Sequence, residues 1–198
     1  MVLADRQIKR LGKRAIEPFV PHTVRNGAVS YGLSSAGYDL RLADEFLLPT
    51  GFPGTVLDPK DHAAAKKLFR QVRTAKLVLG PGQFVLARTL ETVRMPTDVL
   101  GIVVGKSTYA RCGILVNTTP IEPGWEGVIT LEISNLSRFG VTLYPGEGIA
   151  QLVLFKLGAR PLRHYGQRGG PYQGQTTITL PAVVPARKTG GDGAARRR

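Results

Sequence analysis

The chain has 198 residues, enough for one domain with a substantial core and too few for two ordinary domains. Its 24 glycines and 14 prolines favour many turns and short strands over long helices, while a single cysteine, Cys112, excludes an internal disulfide and a cysteine-based zinc site. A formal charge of +13 admits polyanionic partners without choosing among nucleic acid, an anionic nucleotide and a merely solvated basic surface.

The opening residues Met1 to Arg6 lack the apolar core of a signal peptide, and no apolar run approaches the roughly 18 residues of a membrane span, so a cytoplasmic protein without membrane contact is expected. Asp5 is placed to cap a short helix carrying Ile8 and Leu11 and closed by Gly12, and Asp61 to cap a second around Ala63 to Phe69. From Leu77 onward short apolar runs alternate with turn signals. Leu77 to Leu79, Phe84 to Ala87, Val99 to Val104, Ile114 to Val116, Val128 to Ile133, Val141 to Tyr144 and Ile149 to Phe155 read as strands, punctuated by Pro81-Gly82, Glu122-Pro123-Gly124 and Pro145-Gly146. This rhythm predicts an all-β fold with a few short helices, a sandwich, jelly roll or distorted barrel whose edges a homo-oligomer would cover. The last twelve residues carry a net +4 among glycines and alanines, which predicts a disordered basic tail over 183–198 beyond a domain at 1–182. No basic motif with interleaved aromatics occurs, so nucleic acid is not expected as a partner of the core and could engage only the tail.

Two segments carry candidate chemistry. In Val128 to Ile133 the period of two puts Ile129, Leu131 and Ile133 on one face and Val128, Thr130 and Glu132 on the other, leaving Glu132 either on a solvated strand face or in a site. The stretch Gly105-Lys106-Ser107-Thr108-Tyr109-Ala110-Arg111-Cys112-Gly113 places two cations and two hydroxyls directly after an apolar strand. It reads either as a phosphate grip, with free N–H groups at a turn or helix start, or as a plain capped helix with solvated basic residues. A Walker A loop is excluded, because Gly101 and Gly105 have three residues between them where four are needed. Zinc-dependent base deamination is also disfavoured, since His22, His62 and His164 are scattered and no Pro-Cys-x-x-Cys exists. No Gly-x-Ser-x-Gly nucleophile elbow is present.

These segments resemble the dCTP deaminase family. The resemblance is carried by the stretch 105–113, Val-Asn-Thr-Thr-Pro at 116–120, Glu-Pro-Gly-Trp-Glu-Gly at 122–127 and Thr-Leu-Glu-Ile-Ser-Asn at 130–135. It is supported by Glu17-Pro18-Phe19, by the run from Ser30 to Asp39, and by Asp58-Pro59-Lys60, Ala87-Arg88-Thr89 and Glu147 to Gln151, so that residues 14–182 are covered.

The resemblance implies a dUTPase-like distorted barrel or jelly roll, assembled as a homotrimer with active sites at subunit interfaces, and a C-terminal closing segment at 160–182. It implies hydrolysis of dCTP to dUTP and ammonia for deoxypyrimidine synthesis. Glu132 would be the catalytic base, Ser107 would orient the water or base, and Arg111 would reach in from a neighbouring subunit. Substrate contacts would fall on Lys106, Ser107, Thr108, Tyr109, Ala110, Arg111, Thr130, Leu131, Glu132, Gln151, Tyr165 and Gln175. No protein-bound cofactor or metal is implied, and Mg2+ is expected only as the counter-ion of the triphosphate. The closing segment departs from the family pattern at Pro171 to Thr177, with Arg168 as a substitute cation. Two other readings stay open: a bifunctional enzyme that also cleaves dUTP to dUMP and pyrophosphate, with Glu122 as its acidic residue, and a non-catalytic nucleotide-binding trimer.

Overall fold

The computed structural model describes residues 1–52 and 54–183, so the tail expected at 183–198 lies, from residue 184 on, outside them. Helix α1 (Asp5–Leu11) and a 3-10 turn (Gly12–Arg14) open the chain. The cap differs from expectation: Ala4 holds the extended cap position, its N–H is taken by the Gln7 side chain at 3.0 Å, and the Asp5 carboxylate turns to the Arg6 N–H. Short strands β1 (Ile16–Glu17), β2 (Thr23–Val24) and β3 (Tyr31–Ser34) lead into β4 (Gly37–Pro49). Helix α2 (His62–Lys67) is capped by Asp61 as its sequence predicts, the carboxylate accepting the Ala64 N–H at 2.9 Å, but it stops early and Phe69 begins the next strand.

That strand is β5 (Phe69–Arg73), followed by β6 (Leu77–Leu79), β7 (Phe84–Arg94) and β8 (Val99–Gly105). A single helical turn, α3 (Ser107–Ala110), precedes β9 (Ile114–Asn117), β10 (Glu126–Asn135), β11 (Val141–Leu143) and β12 (Gly148–Lys156), and α4 (Tyr165–Arg168) lies in the C-terminal segment. Ten strands form one curled antiparallel sheet, while β6 and β11 pair separately. The all-β expectation holds, and the strands predicted after Leu77 are all present.

Strand β4 curls the sheet into a distorted barrel. Its first half pairs with β3 and β12, and its second half pairs with β5 and β7 across a register shift between Leu42 and Phe46. One strand thus belongs to both walls, and the walls close around Tyr38, Leu40, Leu42, Phe46, Leu131, Ile133 and Leu152, all fully buried. Burying each such side chain contributes about 1.5–3 kcal/mol.

Sequence patterning marks no strand before Leu77, and β4 shows why. Its Asp39, Arg41 and Glu45 interrupt the apolar pattern, yet each is neutralised from a distant strand or turn: Asp39 by Lys106 at 2.5 Å, Arg41 by Glu91 at 2.7 Å and Glu45 by Arg88 at 2.8 Å. The polar stretch after Ala87 likewise continues β7, because Thr89 and Glu91 are completely buried and bonded. The Thr89 hydroxyl donates to the Glu91 carbonyl at 2.8 Å and accepts the Ile129 N–H at 2.9 Å. That second bond satisfies the backbone where β10 bulges between Val128 and Thr130.

Candidate active site

Strand β10 runs between β7 and β9. Its alternation sends Ile129, Leu131 and Ile133 into the core and leaves Thr130 and Glu132 half-buried on the opposite face. A cavity of about 360 Å³ covers that face. Phe84 and Leu86 of β7 and Phe69 of β5 line its apolar floor, the 118–122 connection and Trp125 form a wall, and Tyr165, Tyr172, Gln175, Thr179 and Pro181 come over the top. Such a mostly apolar hollow with a few convergent polar groups is the usual form of a small-molecule site.

The roof is the C-terminal segment, strapped down at several points. Gly174 donates its N–H to the Glu126 carbonyl at 2.8 Å, and Val128 donates to the Gln175 carbonyl at 2.9 Å. The indole N–H of Trp125 bonds the Tyr172 carbonyl at 2.9 Å, and Thr177 Oγ1 donates to Glu45 at 2.7 Å. Ile178 and Leu180 then bury against Leu86, Leu47, Phe69 and Phe84. At the other end, Tyr165 donates its N–H to the Pro123 carbonyl at 2.9 Å, and His164 packs on Gly124 so closely that a Cβ there would lie 2.4 Å from the ring. Gly124 also has φ +75°, so the turn needs glycine twice over.

Within this cavity Glu132 is the carboxylate with no ion-pair partner among the described residues. Burial pushes its carboxyl above the ordinary value, opposed by hydrogen bonds that include one from Asn117 Nδ2 at 3.3 Å. Glu122, which also lines the cavity, is held by the guanidinium of Arg168. Arg168, expected as a substitute phosphate cation, is therefore engaged with a carboxylate in this structure.

Gln175 presents a second unusual group. Its Nε2 donates to the Val128 carbonyl at 2.5 Å, which fixes the amide's orientation, because a flipped amide would set oxygen against oxygen. Its Oε1 is then buried without a hydrogen-bond partner among the described residues. An unpaired buried acceptor costs about 1–3 kcal/mol, and an N–H donor entering the cavity would recover it.

The site residues expected from sequence thus fall into two groups. Thr130, Glu132, Tyr165 and Gln175 line the cavity. Leu131 does not offer its side chain, which is fully buried in the core, so any contact there must come from its backbone. Lys106, Ser107, Thr108, Ala110, Arg111 and Gln151 do not line it within one chain. Glu132 pairs with Asn117 at one end of β9, whereas α3 enters at the Ile114 end, about 10 Å away along an extended strand.

In the second group, Lys106 Nζ bonds Asp39 and, at 2.9 Å, Ser30 Oγ, while Gln151 Nε2 donates to Asp39 and Ser34 at 3.0 Å each. Tyr109 is buried and its hydroxyl accepts the Tyr144 N–H at 3.1 Å, so its side chain is structural. Ser107, Thr108, Ala110 and Arg111 are exposed, and among the described residues the Arg111 guanidinium reaches only the Ser107 carbonyl, at 3.3 Å. The substitution Asp39→Ala is expected to strand a cation whose side chain is only 13% exposed, costing about 3 kcal/mol in urea-denaturation free energy.

Sequence reasoning did not single out Asp39, Asn117, Trp125 or Tyr172 as individual site residues. Asp39 and Trp125 sit inside matched motifs, and a signal existed in both. Tyr172 lies in the segment that departs from the family pattern, and Asn117, though inside the matched stretch 116–120, is brought to Glu132 only by strand register.

A family model described as dCTP deaminase-like matches residues 2–157. The dCTP deaminase of Herpetosiphon aurantiacus is 48% identical over 184 residues, covering 92% of this chain and 99% of that one. The dCTP deaminase of Novosphingobium aromaticivorans is 49% identical over 185 residues with the same coverage. Among solved structures, a 2'-deoxycytidine 5'-triphosphate deaminase from Agrobacterium tumefaciens superposes with a TM-score of 0.59 at 21% identity over 79% of this chain, which spans about half (49%) of that longer one. That likeness concerns the fold. The motifs around Glu132, the family match over residues 2–157 and relatives nearly half identical along almost their whole length place the chain in the dCTP deaminase-like family.

Proposed function

We propose that this protein deaminates dCTP hydrolytically, giving dUTP and ammonia. The observation that carries the reading is Glu132, a carboxylate held half-buried in a mostly apolar cavity, without a cation beside it among the described residues, in a protein of this family. A carboxylate there is a stronger base than one in water, which suits it to take a proton from a water molecule. As the water oxygen bonds to C4 of cytosine, Glu132 holds that proton and passes it to the amino nitrogen. Collapse of the adduct expels ammonia, and transfer of the C4 hydroxyl proton to N3 leaves uracil with its C4 carbonyl.

Other residues take supporting roles in this reading. The orphan Oε1 of Gln175 would accept an N–H from the base, and Tyr165 and Tyr172 would flank the nucleoside. Ser107 would orient the water or the base, and Arg111 of a neighbouring subunit would meet the triphosphate, with magnesium arriving as its counter-ion. This accounts for the exposure of Arg111 and for its separation from Glu132 within one chain. A homotrimer with interfacial sites follows from the same reading. The water is activated by a carboxylate in place of a zinc ion, since the zinc-dependent alternative needs a Pro-Cys-x-x-Cys that this chain lacks.

Glu122 gives a reason to test the bifunctional alternative, since it lines the same cavity, although Arg168 occupies its carboxylate. Incubation with dCTP, CTP, dCMP and dUTP, followed by assays of ammonia, dUTP and pyrophosphate, decides between them. Equal ammonia and dUTP from dCTP, without pyrophosphate, is expected. Stoichiometric pyrophosphate would show the bifunctional enzyme, and absence of ammonia would leave a binding protein.

A further inference from the structure

We propose that Asn117 is a positioning residue for Glu132: its side-chain amide, presented by the neighbouring strand, orients and stabilises the ionised carboxylate. The inference rests on the reading of Glu132 as the base.

The geometry comes from strand register. Asn117 is the last residue of β9 and lies directly opposite Glu132 of β10, which brings its Nδ2 to 3.3 Å from Glu132 Oε2. Its backbone is held on both sides of the contact. Val116 pairs with Ile133, and the next residue, Thr118, donates its hydroxyl to the Val103 carbonyl at 3.3 Å. Beyond it, residues 118–121 form the cavity wall, so the amide stands where the sheet gives way to the site.

The choice of side chain is informative. Asparagine at a strand end commonly bonds its own backbone to start a turn. Here the side-chain bond found for Asn117 is the one to Glu132. A lysine or arginine at this position would form an ion pair and lower the carboxylate pKa by roughly 1–3 units, weakening the base. An aspartate would repel it. A neutral amide donor fixes the direction of the carboxylate and offsets part of the burial that pushes its carboxyl up, without quenching its basicity.

The sign of the test follows directly. Removing a donor that favours the ionised form raises the Glu132 pKa, and a base must be ionised to act. In Asn117→Ala the acid limb of kcat/KM for dCTP should therefore move up by about one pH unit, with about a tenfold loss below the limb and a smaller loss above it, the low end for a hydrogen bond to a charged group. Asn117→Asp, nearly isosteric, should move the limb further in the same direction. A carboxyl 13C titration of Glu132 in both variants should show the same displacement independently of turnover, and thermal melts report whether the fold is intact. An unmoved limb and unmoved titration in Asn117→Asp, with or without a uniform fall in rate, would overturn the inference. If Glu132→Gln still deaminates, the base itself is misassigned. If that variant is inactive while the Asn117 variants titrate as wild type, only the positioning role fails.

Discussion

Glu132→Gln should abolish deamination of dCTP, lowering kcat by about 10²-fold to 10⁴-fold or more, the usual worth of a general acid–base group. The amide keeps the size of the carboxyl and its place opposite Asn117, but it cannot accept a proton from water. Binding should survive, because the walls of the cavity and the roof at Tyr165, Tyr172 and Gln175 are untouched. Calorimetric titration with dCTP should therefore give near wild-type affinity beside a collapsed turnover, the signature of an interaction used in the transition state. Turnover near the wild-type rate would remove Glu132 from the mechanism.

The same substitution carries a stability signature. Burial raises the Glu132 carboxyl above its unfolded value. The contribution of such an acid is fully present below the unfolded pKa and is lost as pH rises through the folded pKa. At neutral pH the wild type thus holds an ionised carboxylate that the fold disfavours, and glutamine relieves it. The variant should melt above the wild type at neutral pH, and the gap should close towards pH 4. A variant that melts lower at neutral pH would show that the carboxylate stabilises the fold.

The second large effect concerns assembly. Arg111→Ala should by itself be inactive or nearly so, since the other cation of the 105–113 stretch, Lys106, is engaged by Asp39. If each site joins Glu132 of one subunit to Arg111 of its neighbour, Glu132→Gln and Arg111→Ala should restore one another when unfolded together and refolded. Random mixing of equal amounts would rebuild about a quarter of the sites in a cyclic trimer. Recovery near that level, read as ammonia release against refolded wild type, is the expected result. No recovery from two inactive parents would place both residues in one chain's site, and an active Arg111→Ala would end its proposed role.

Much of the site was legible before any fold was known. Alternation along Val128 to Ile133 separated Glu132 from the core, and the family resemblance pointed to Thr130, Tyr165 and Gln175, all of which line one cavity. Legibility failed where a residue's role depends on a partner far along the chain. Lys106 stood out in the sequence as a phosphate cation, but in this structure Asp39, 67 positions earlier, takes its charge. Leu131 belonged to a matched motif, yet the β10 pleat turns its side chain inward. Asn117 lay inside the matched stretch 116–120, yet nothing local says that it will face Glu132.

By itself the sequence determined a β-rich, turn-rich fold after Leu77, the capping of α2 by Asp61 and the placing of Glu132 off the core face, because period, turn chemistry and caps are local. Only the tertiary structure decided that β4 is one 13-residue strand shared by both walls, since Asp39, Arg41 and Glu45 become tolerable inside a sheet only when Lys106, Glu91 and Arg88 arrive to neutralise them. It likewise decided that residues 165–181 roof the Glu132 face. Those contacts close loops of many residues, and no local pattern records which surface a distant segment will cover.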